Sequence, residues 1–434
     1  MREPRNPTAT PELNNPTATP ELNNPIATPE QHATELRALE LVQHPSLRQT
    51  RAEVREWWLG ANQPSPEMRA CFEWAFEEVM FAAAVWSLNQ DPLYPRVVTI
   101  TRLPHRVAGR EIPGTRWGLD NPDSVYRVIP ISGGERYRIH GRVPEHRLSE
   151  NYFTLWDPSM NTVDVLDGKQ LVLDAERRFA ITVDSEPAKG RPNHVRSAPA
   201  AHEFYIRDVI QDWERERANE LSIERLGPPP ARPPMSEAQQ LELTAKYMWR
   251  WAQSSERWNA QAADKPVNKF EFKIDRQTDG ALRNQIYMMG FFRLASDEEA
   301  LLVNVGLGGA GYFVCPVTNV WGTTNDILHR SGSLNKAQSL PNPDGSYSYV
   351  VSAVDPGVHN WIDTSGTHEG ILTLRWAEFP DGRPGQGLFA DSELVRLDRL
   401  REKLPPETRS VTPQERAQQL ERRAASYRWR LLES

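Results

Sequence analysis

A change in hydrophobic period near residue 96 constrains the fold of this chain more than any other feature. From there on, short runs alternate apolar and polar residues, and turns such as Ser132 to Gly134 separate them. The runs are RVVTIT, SVYRVIPI, RYRIHGRV, NYFTLW, TVDVL, LVLD, FAITVD, EFYIRDVI and ELSIER, then FEFKID, QIYMMGFFRL, ALLVNV, YFVCPV, SYSYVVSA and ILTLRWAEF. Short strands that follow one another without intervening helices are typical of antiparallel sheets. We therefore predict a mainly β protein with antiparallel sandwiches or barrels.

Helical periodicity is confined to the flanks and to one connector. Apolar residues recur every three or four positions from about Pro66 to Leu88, which predicts a helix facing a core. Thr28 with Gln31, and Thr50 with Glu53, read as N-terminal capping boxes of two earlier helices. Together these predict a helical cap over 33–95, and a box at Thr412 predicts a helix in a C-terminal tail, 391–434.

Two proline-rich segments suggest boundaries. Residues 6–32 repeat NPTATPELN, NPTATPELN and NPIATPEQH, with too little apolar surface to offset ordering, so we expect residues 1–32 to be disordered. The run at 227–234 is a stiff connector, followed by a helix capped by Ser236 with Gln239. The domains expected between them are a β-sandwich region at 96–226, the connector and helix at 227–258 and a second sandwich at 259–390.

Composition excludes some partners. The net charge of −7 is spread over mixed acidic and basic residues, and no basic stripe suited to nucleic acid is evident. The longest nearly apolar run, Val79 to Trp86, is too short to span a membrane. Only Cys71 and Cys315 carry thiols, which predicts two unlinked cysteines in a reducing compartment. We therefore expect a cytoplasmic protein with neither nucleic acid nor membrane as partner; its oligomeric state stays open.

Motifs for known cofactors are missing or misplaced. Gly306 to Gly311 matches G-x-G-x-x-G, but a strand follows where a dinucleotide site needs a helix, so we interpret it as a glycine-rich hairpin or bulge in a β-sheet. No nucleophile elbow, P-loop or zinc motif is present. His359, Asp363 and His368 lack a spacing that would bring three ligands onto one metal. We expect neither cofactor nor metal.

Two polar, aromatic loops, 318–338 and 355–369, hold the candidate site, and each leaves a strand and returns to one. In an enzyme acting on a small organic molecule by non-redox acid/base chemistry, of hydrolase or lyase type, His359 would be the base or acid and Asp355 or Asp363 would orient it. In a protein that binds a carbohydrate or small apolar ligand, indoles would stack on the ligand and polar groups would orient it. The residues of that second role are Trp321, Asn325, Arg330, Asn360 and Trp361. Both hypotheses predict one pocket shared by the two loops; the alternative is that these groups only satisfy one another.

The same residues carry a family resemblance. The string comprises Tyr312, Trp321, Asp326, Arg330, Ser333-Leu334-Asn335, Gln338, Asp344-Gly345, Asp355-Pro356-Gly357, Asn360-Trp361, Asp363-Thr364 and Arg375-Trp376. It resembles the bacterial family catalogued as domain of unknown function 1214, over roughly residues 270–380. Upstream, Asn121-Pro122-Asp123-Ser124, Tyr126-Arg127 and Asn151-Tyr152-Phe153 resemble the segment that precedes this domain in longer relatives. The resemblance implies a jelly-roll-like β-sandwich, to which the upstream strands contribute or add a second one, and no activity.

Overall fold

The computed structural model describes residues 24–148, 150–270, 272–274 and 285–433. The first two nonapeptide repeats, for which the sequence predicts disorder, lie outside the described residues. The helices are α1 Pro29–Val42, α2 Arg48–Asn62, α3 Pro66–Ser87, α4 Glu237–Ala263, α5 Leu400–Lys403 and α6 Pro413–Tyr427.

The predicted helix starts are confirmed at α1, α3, α4 and α6 and wrong at α2. Thr28 Oγ1 accepts the Gln31 backbone N–H at 3.2 Å, which satisfies one free donor of the first turn of α1. α2 instead begins at Arg48 without a side-chain cap, because a 3-10 turn at Pro45–Leu47 leads directly into it.

The third nonapeptide repeat is ordered, which corrects the predicted start of structure at residue 33. Ile26 is 2% exposed and packs in an apolar cluster with Trp213 and Tyr427. The Asn24 side-chain amide donates to the carbonyls of Trp429 and Leu432. The third repeat carries Ile26 where the first two have threonine, and Ile26 is the apolar side chain that packs in this cluster.

The strands of the described residues form two sandwich-like units, which confirms the mainly β architecture with a helical N-terminal region and a C-terminal helix. The first unit contains β1 Val98–Ile100, the hairpin β2 His105–Val107 and β3 Arg110–Ile112, β4 Ser124–Pro130, β5 Arg136–Arg142, β6 Glu150–Trp156, β7 Thr162–Asp167, β8 Arg178–Asp184, β9 His194–Arg196, β10 Glu203–Val209 and β11 Glu220–Leu226. The second contains β12 Phe272–Ile274, β13 Ile286–Arg293, β14 Glu299–Leu307, β15 Tyr312–Thr318, β16 Ser333–Asn335, β17 Tyr347–Ser352, β18 Trp361–Asp363, β19 Glu369–Ala377 and β20 Leu388–Arg396.

The two units repeat one strand order. The first has a five-stranded sheet β1-β4-β10-β6-β7 and a four-stranded sheet β11-β5-β8-β9. The second has β12-β13-β19-β15-β16 and β20-β14-β17-β18, so every strand from β4 to β11 has its counterpart nine strands later. Even the exceptions to antiparallel pairing match, since β8 with β9 and β17 with β18 are both parallel. The chain is thus an internal duplication of one sandwich.

Each five-stranded sheet is buried on both faces. One face packs on its own four-stranded sheet, with Phe153 in the first unit and Trp376 in the second. The other face meets the helices and the opposite unit, and therefore β4, β6, β10, β15 and β19 are buried at every position. Trp251 and Met248 of α4 join the core of α2 and α3, so α4 belongs to the helical layer rather than to a connector.

Three local predictions are corrected. Residues 171–174 form no strand. β20, in the predicted helical tail, is a strand that pairs with β14 along its length, and its exposed outward positions weaken the alternation in the sequence. The glycine-rich segment after Leu307 is not a hairpin within one sheet: it joins strands of two different sheets, with Gly308 and Gly309 at positive φ.

Cys71 and Cys315 are unlinked, as predicted. Among the described helices, none is long and apolar enough to cross a bilayer.

Candidate functional site

The two predicted loops do contact each other. The Arg330 guanidinium pairs with the Asp363 carboxylate at 3.1 Å, and the Asn325 amide donates to the Thr364 carbonyl at 3.2 Å. Asp363 is 2% exposed, and this burial raises the pKa of its carboxyl although Arg330 opposes the shift. These contacts tie the two loops to each other.

The tryptophan rings of these loops are packed inside the protein rather than exposed to a ligand. Trp321 is fully buried against the rings of Trp58 and Phe72, and its indole N–H donates to the Met68 carbonyl at 2.7 Å. Trp361 donates its indole N–H to the Ser352 carbonyl and lies under an arginine of α6. Trp321 thus packs against α2 and α3, and Trp361 packs under α6. Both rings are buried inside the protein, so the predicted stacking on a ligand is not supported.

The predicted carboxylate–imidazole pair does not form. His359 Nδ1 accepts from the Gln419 amide at 2.9 Å, which leaves Nε2–H to donate to the Gln338 carbonyl at 3.2 Å. Both ring nitrogens are therefore occupied, and burial lowers the pKa of the imidazole. Asp355 pairs with Arg416 at 2.9 Å, and Asp363 with Arg330.

A cavity of about 440 Å³ lies between the two loops and α6, lined by Ser331, Leu334, Ala337 and Gln338 of the first loop and by His359 of the second. Of the seven residues predicted to face a common pocket, only His359 lines it. Asn360 illustrates why the others do not: its amide accepts from the Leu340 N–H and donates to the carbonyls of Leu340 and Ser348. The two loops therefore share a cavity, but six of the seven side chains predicted to face it, namely Trp321, Asn325, Arg330, Asn360, Trp361 and Asp363, do not line it.

Much of the family-like string forms one buried polar network that holds the two units together. Asp123, before β4, accepts from the Tyr312 hydroxyl at 2.7 Å, from the Trp213 indole at 2.8 Å and from the Asn335 amide at 3.0 Å. Asn121 donates to Tyr312 in turn. Burial raises the pKa of Asp123 against these donors. These polar residues thus determine how the units dock.

A second cavity, of about 110 Å³, lies between the outer faces of the two five-stranded sheets and beneath α4. Its walls are mainly aromatic, and its least buried lining residues are Thr101, Gly118, Trp258 and Gln261. The remaining lining residues are Trp117, Leu119, Asp120, Tyr126, Trp156, Met160, Tyr205, Arg207, Tyr287, Met289, Thr373 and Arg375. We call it the inter-sandwich cavity.

Two arginines enter its wall from equivalent strands. Arg207 of β10 lies opposite Tyr126 in the ladder with β4, and Arg375 of β19 lies opposite Tyr287 in the ladder with β13. The Arg207 guanidinium carbon is 4.4 Å from the ring centroid of Tyr205, and that of Arg375 is 5.5 Å from that of Tyr287. Both arginines are over nine-tenths buried.

Arg375 has no counter-ion among the described residues. Its guanidinium donates to the Leu119 carbonyl and to the Tyr126 hydroxyl, and no carboxylate of a described residue lies within 4.0 Å of it. Its Nε finds no described hydrogen-bond partner, and the same holds for Trp156 Nε1 and Thr373 Oγ1. Buried charges are normally paired, because burial without a partner is costly. The wall is thus rich in donors and short of acceptors.

The nearest carboxyl groups are poor counter-ions. Asp120 binds the backbone N–H and hydroxyl of Thr324, and burial raises its pKa. Burial likewise raises the pKa of Glu150 to about 8, against the opposing effects of Arg207 and Arg375. Glu150 is therefore mostly neutral at pH 7 and does not offset the charge of Arg375.

The sequence held one usable signal for this cavity. Arg207 follows the apolar run Phe204 to Ile206, and Arg375 follows the largely apolar run Ile371 to Leu374; a charged residue inside such a strand is expensive unless it has a task. Nothing local indicates that the two strands, far apart in the chain, face one another.

No group of three potential metal-binding side chains was found among the described residues.

No family model matches the sequence, and no curated protein matches it. Among solved structures, the fold is similar to that of an uncharacterised protein from Burkholderia cenocepacia, with a TM-score of 0.70 and 24% identity over 83% of this chain and 99% of that one. A protein from Vibrio parahaemolyticus aligns with a TM-score of 0.43 and 11% identity over 75% of this chain and 99% of that one. The first likeness shows a shared fold.

Proposed function

We propose that this protein binds a small organic anion, a carboxylate with a short apolar body, in the inter-sandwich cavity. The observation that carries the proposal is Arg375, a buried guanidinium in a cavity wall that has no carboxylate partner among the residues the structure describes. An anion would supply the missing counter-charge, and charge-assisted hydrogen bonds to a carboxylate are about twice as strong as neutral ones. This is a form of the small-ligand binding role considered from the sequence.

The lining supports an amphipathic ligand. Trp117, Trp156 and Tyr205 offer apolar surface, while the guanidinium groups supply the few fixed polar contacts that orient a bound molecule. A dry cavity of about 150 Å³ accommodates a benzene ring. At about 110 Å³, this one suits a smaller anion.

Acid/base catalysis through His359 has no geometric support, because both ring nitrogens are already hydrogen-bonded. Two expectations stay predictions from the sequence: a cytoplasmic location and membership of the family catalogued as domain of unknown function 1214.

Titration with butyrate and with its uncharged amide, butyramide, tests the proposal. Trp117, Trp156 and Trp258 line the cavity and report on it by fluorescence, and calorimetry gives the affinity directly. We expect butyrate to bind and butyramide to bind at least tenfold more weakly, since a charged hydrogen bond contributes about 1.5–3 kcal/mol. Equal binding of the two, or no binding by butyrate, benzoate or propionate, would overturn the proposal.

Variants locate the site. Arg375→Met should weaken butyrate binding about 10- to 100-fold, and Arg375→Lys should retain part of it, because lysine keeps the charge but not the planar fork. Arg330→Met is the matched control: it removes an arginine of the loops first suspected, which lies outside the cavity. Thermal unfolding must show that each variant is folded. A loss with Arg330→Met instead of Arg375→Met would move the site to the loops.

A further inference from the structure

Glu150 lies next to the arginine wall of the inter-sandwich cavity without lining it. In the ladder of β6 with β10, Glu150 pairs with Val209 and Tyr152 pairs with Arg207. Glu150 and Arg207 are therefore diagonal neighbours on one face of the sheet, roughly 7–8 Å apart along the backbone. This is the same face that presents Trp156 to the cavity.

Only one oxygen of this carboxyl is satisfied. Oε1 accepts from the Gln285 amide at 2.6 Å, and Oε2 has no hydrogen-bond partner among the described residues. The side chain is completely buried, so no water shell stabilises its charge. A carboxyl in such surroundings prefers the neutral form, unless nearby cations hold it ionised.

The charges around Glu150 come from several elements and have both signs. Arg207 and Arg375 favour its ionised form, and Lys169, after β7, does so more weakly; Asp123 favours the neutral form. Tyr312 of β15 also lies within electrostatic range. The groups facing Glu150 are thus Arg207, Arg375, Lys169, Asp123, Tyr312 and Gln285.

We propose that, where Glu150 is ionised, it takes up one proton when an anion enters the inter-sandwich cavity, so that the ligand's carboxylate takes the place of the Glu150 carboxylate beside the arginines. This rests on the proposed function. Arg207 and Arg375 are the cations that act most strongly on the Glu150 carboxyl, and only one of its two oxygens has a described hydrogen-bond partner. A bound anion next to the same arginines repels the negative charge of ionised Glu150. Protonation of Glu150 removes this repulsion. The site then keeps its net charge when it fills.

The direction of the pH dependence follows. The pKa of Glu150 in the empty protein is about 8, and a bound anion raises it further. Below that value the carboxyl is already neutral, so binding needs no proton and affinity is constant. Above it, each molecule bound must take a proton from solution, and affinity falls by up to tenfold per pH unit. Asp120 also lines the cavity with a raised pKa, which makes a variant at Glu150 necessary for assignment.

Calorimetric titration of the full chain with butyrate, between about pH 6 and pH 9.5 where butyrate stays ionised, tests the inference. In phosphate and Tris buffers, whose ionisation enthalpies differ, the difference in observed heat measures the protons taken up. We expect uptake near zero at the acidic end and close to one proton per butyrate above pH 8, with affinity falling over the same range.

Glu150→Gln keeps an acceptor for Gln285 but cannot ionise. It should bind butyrate with the acidic-end affinity of the native protein at every pH and without proton uptake. Glu203→Gln is the control, because Glu203 is also buried on β10 but bonds to Trp86 and Gln90; it should retain the native pH profile. Butyrate binding that is independent of pH, or uptake that persists in Glu150→Gln, would overturn the inference while leaving the anion site standing. No butyrate binding at any pH would overturn both.

Discussion

Arg207 and Arg375 occupy equivalent places in the two halves of a duplicated fold, and both line one cavity between those halves. Each lies opposite a tyrosine on the neighbouring strand, Tyr126 for the first and Tyr287 for the second. A pair of residues related in this way approaches a ligand from two sides. The site therefore belongs to the interface of the two units and is incomplete in either unit alone.

The first prediction concerns the rim of the cavity. Gly118 has a φ of +66°, and a Cβ added there would lie 2.8 Å from Cζ3 of Trp258. Gly118→Ala should cost about 1 kcal/mol of stability from the left-handed backbone and also displace the indole, weakening butyrate binding several-fold. Gly345→Ala is the matched control, because Gly345 has a φ of +82° with no atom within 4 Å of the added carbon. Denaturant unfolding measures the stability of both variants, and fluorescence titration measures their affinity for butyrate. Equal affinity of the two variants would contradict the prediction.

The second prediction concerns the third nonapeptide repeat. Ile26→Thr restores the residue of the other repeats and should lower the free energy of unfolding by about 1–3 kcal/mol, because it buries a hydroxyl and removes apolar contacts. Ile26→Val should cost less. Removal of residues 1–23 should leave the melting temperature unchanged, whereas removal of 1–32 should lower it by several degrees. A melting temperature indifferent to both truncations would show that Ile26 contributes nothing.

The third prediction concerns the polar network between the units. Tyr312→Phe leaves the carboxylate of Asp123 and the amide of Asn121 each short of one partner. Unsatisfied buried groups cost about 1–3 kcal/mol each, so urea unfolding should show a loss in that range. Tyr347→Phe serves as control, since the Tyr347 hydroxyl has no hydrogen bond with a described residue. Similar losses in both would mean that the network adds no stability.

The fourth prediction concerns pH. His368 bridges Glu67 of α3 and Asp297 before β14, at 2.7 and 3.1 Å, and the carboxylate of Glu67 chiefly raises its pKa. A histidine pKa raised by folding adds stability below the unfolded value of about 6.5, and this stability is lost as pH rises through the folded value.

Because His368 is partly exposed, we expect less than about 1 kcal/mol of stability to be lost. His368→Gln should flatten this part of the stability profile measured by denaturation between about pH 5 and pH 8. His329→Gln removes a more exposed histidine that pairs with Asp326 and should preserve the native profile. A His368→Gln profile parallel to the native one would refute the bridge.

Local rules predicted the elements well where the signal is local. Thr28, Ser236 and Thr412 sit at helix starts because a capping hydroxyl satisfies a backbone donor within three residues. The sequence did not predict β20, because most residues of this strand are exposed and its apolar/polar alternation is therefore weak. The predicted site residues mostly do not line a cavity for a related reason: Trp321, Trp361 and Asn360 are bonded to backbone groups of other segments, and a sequence cannot distinguish polar groups that are free from polar groups that are paired.

The sequence by itself determined the mainly β architecture, its helical flanks and most element boundaries, since strand and helix periods follow from backbone geometry over a few residues. Only the tertiary structure decided that the two sheets of equivalent strand order face each other and that α4 covers them. It also decided that Arg207 and Arg375 meet there. Burial and pairing of charges depend on contacts between segments far apart in the chain, so the charge left without a partner, and with it the site, emerges only when the two halves pack.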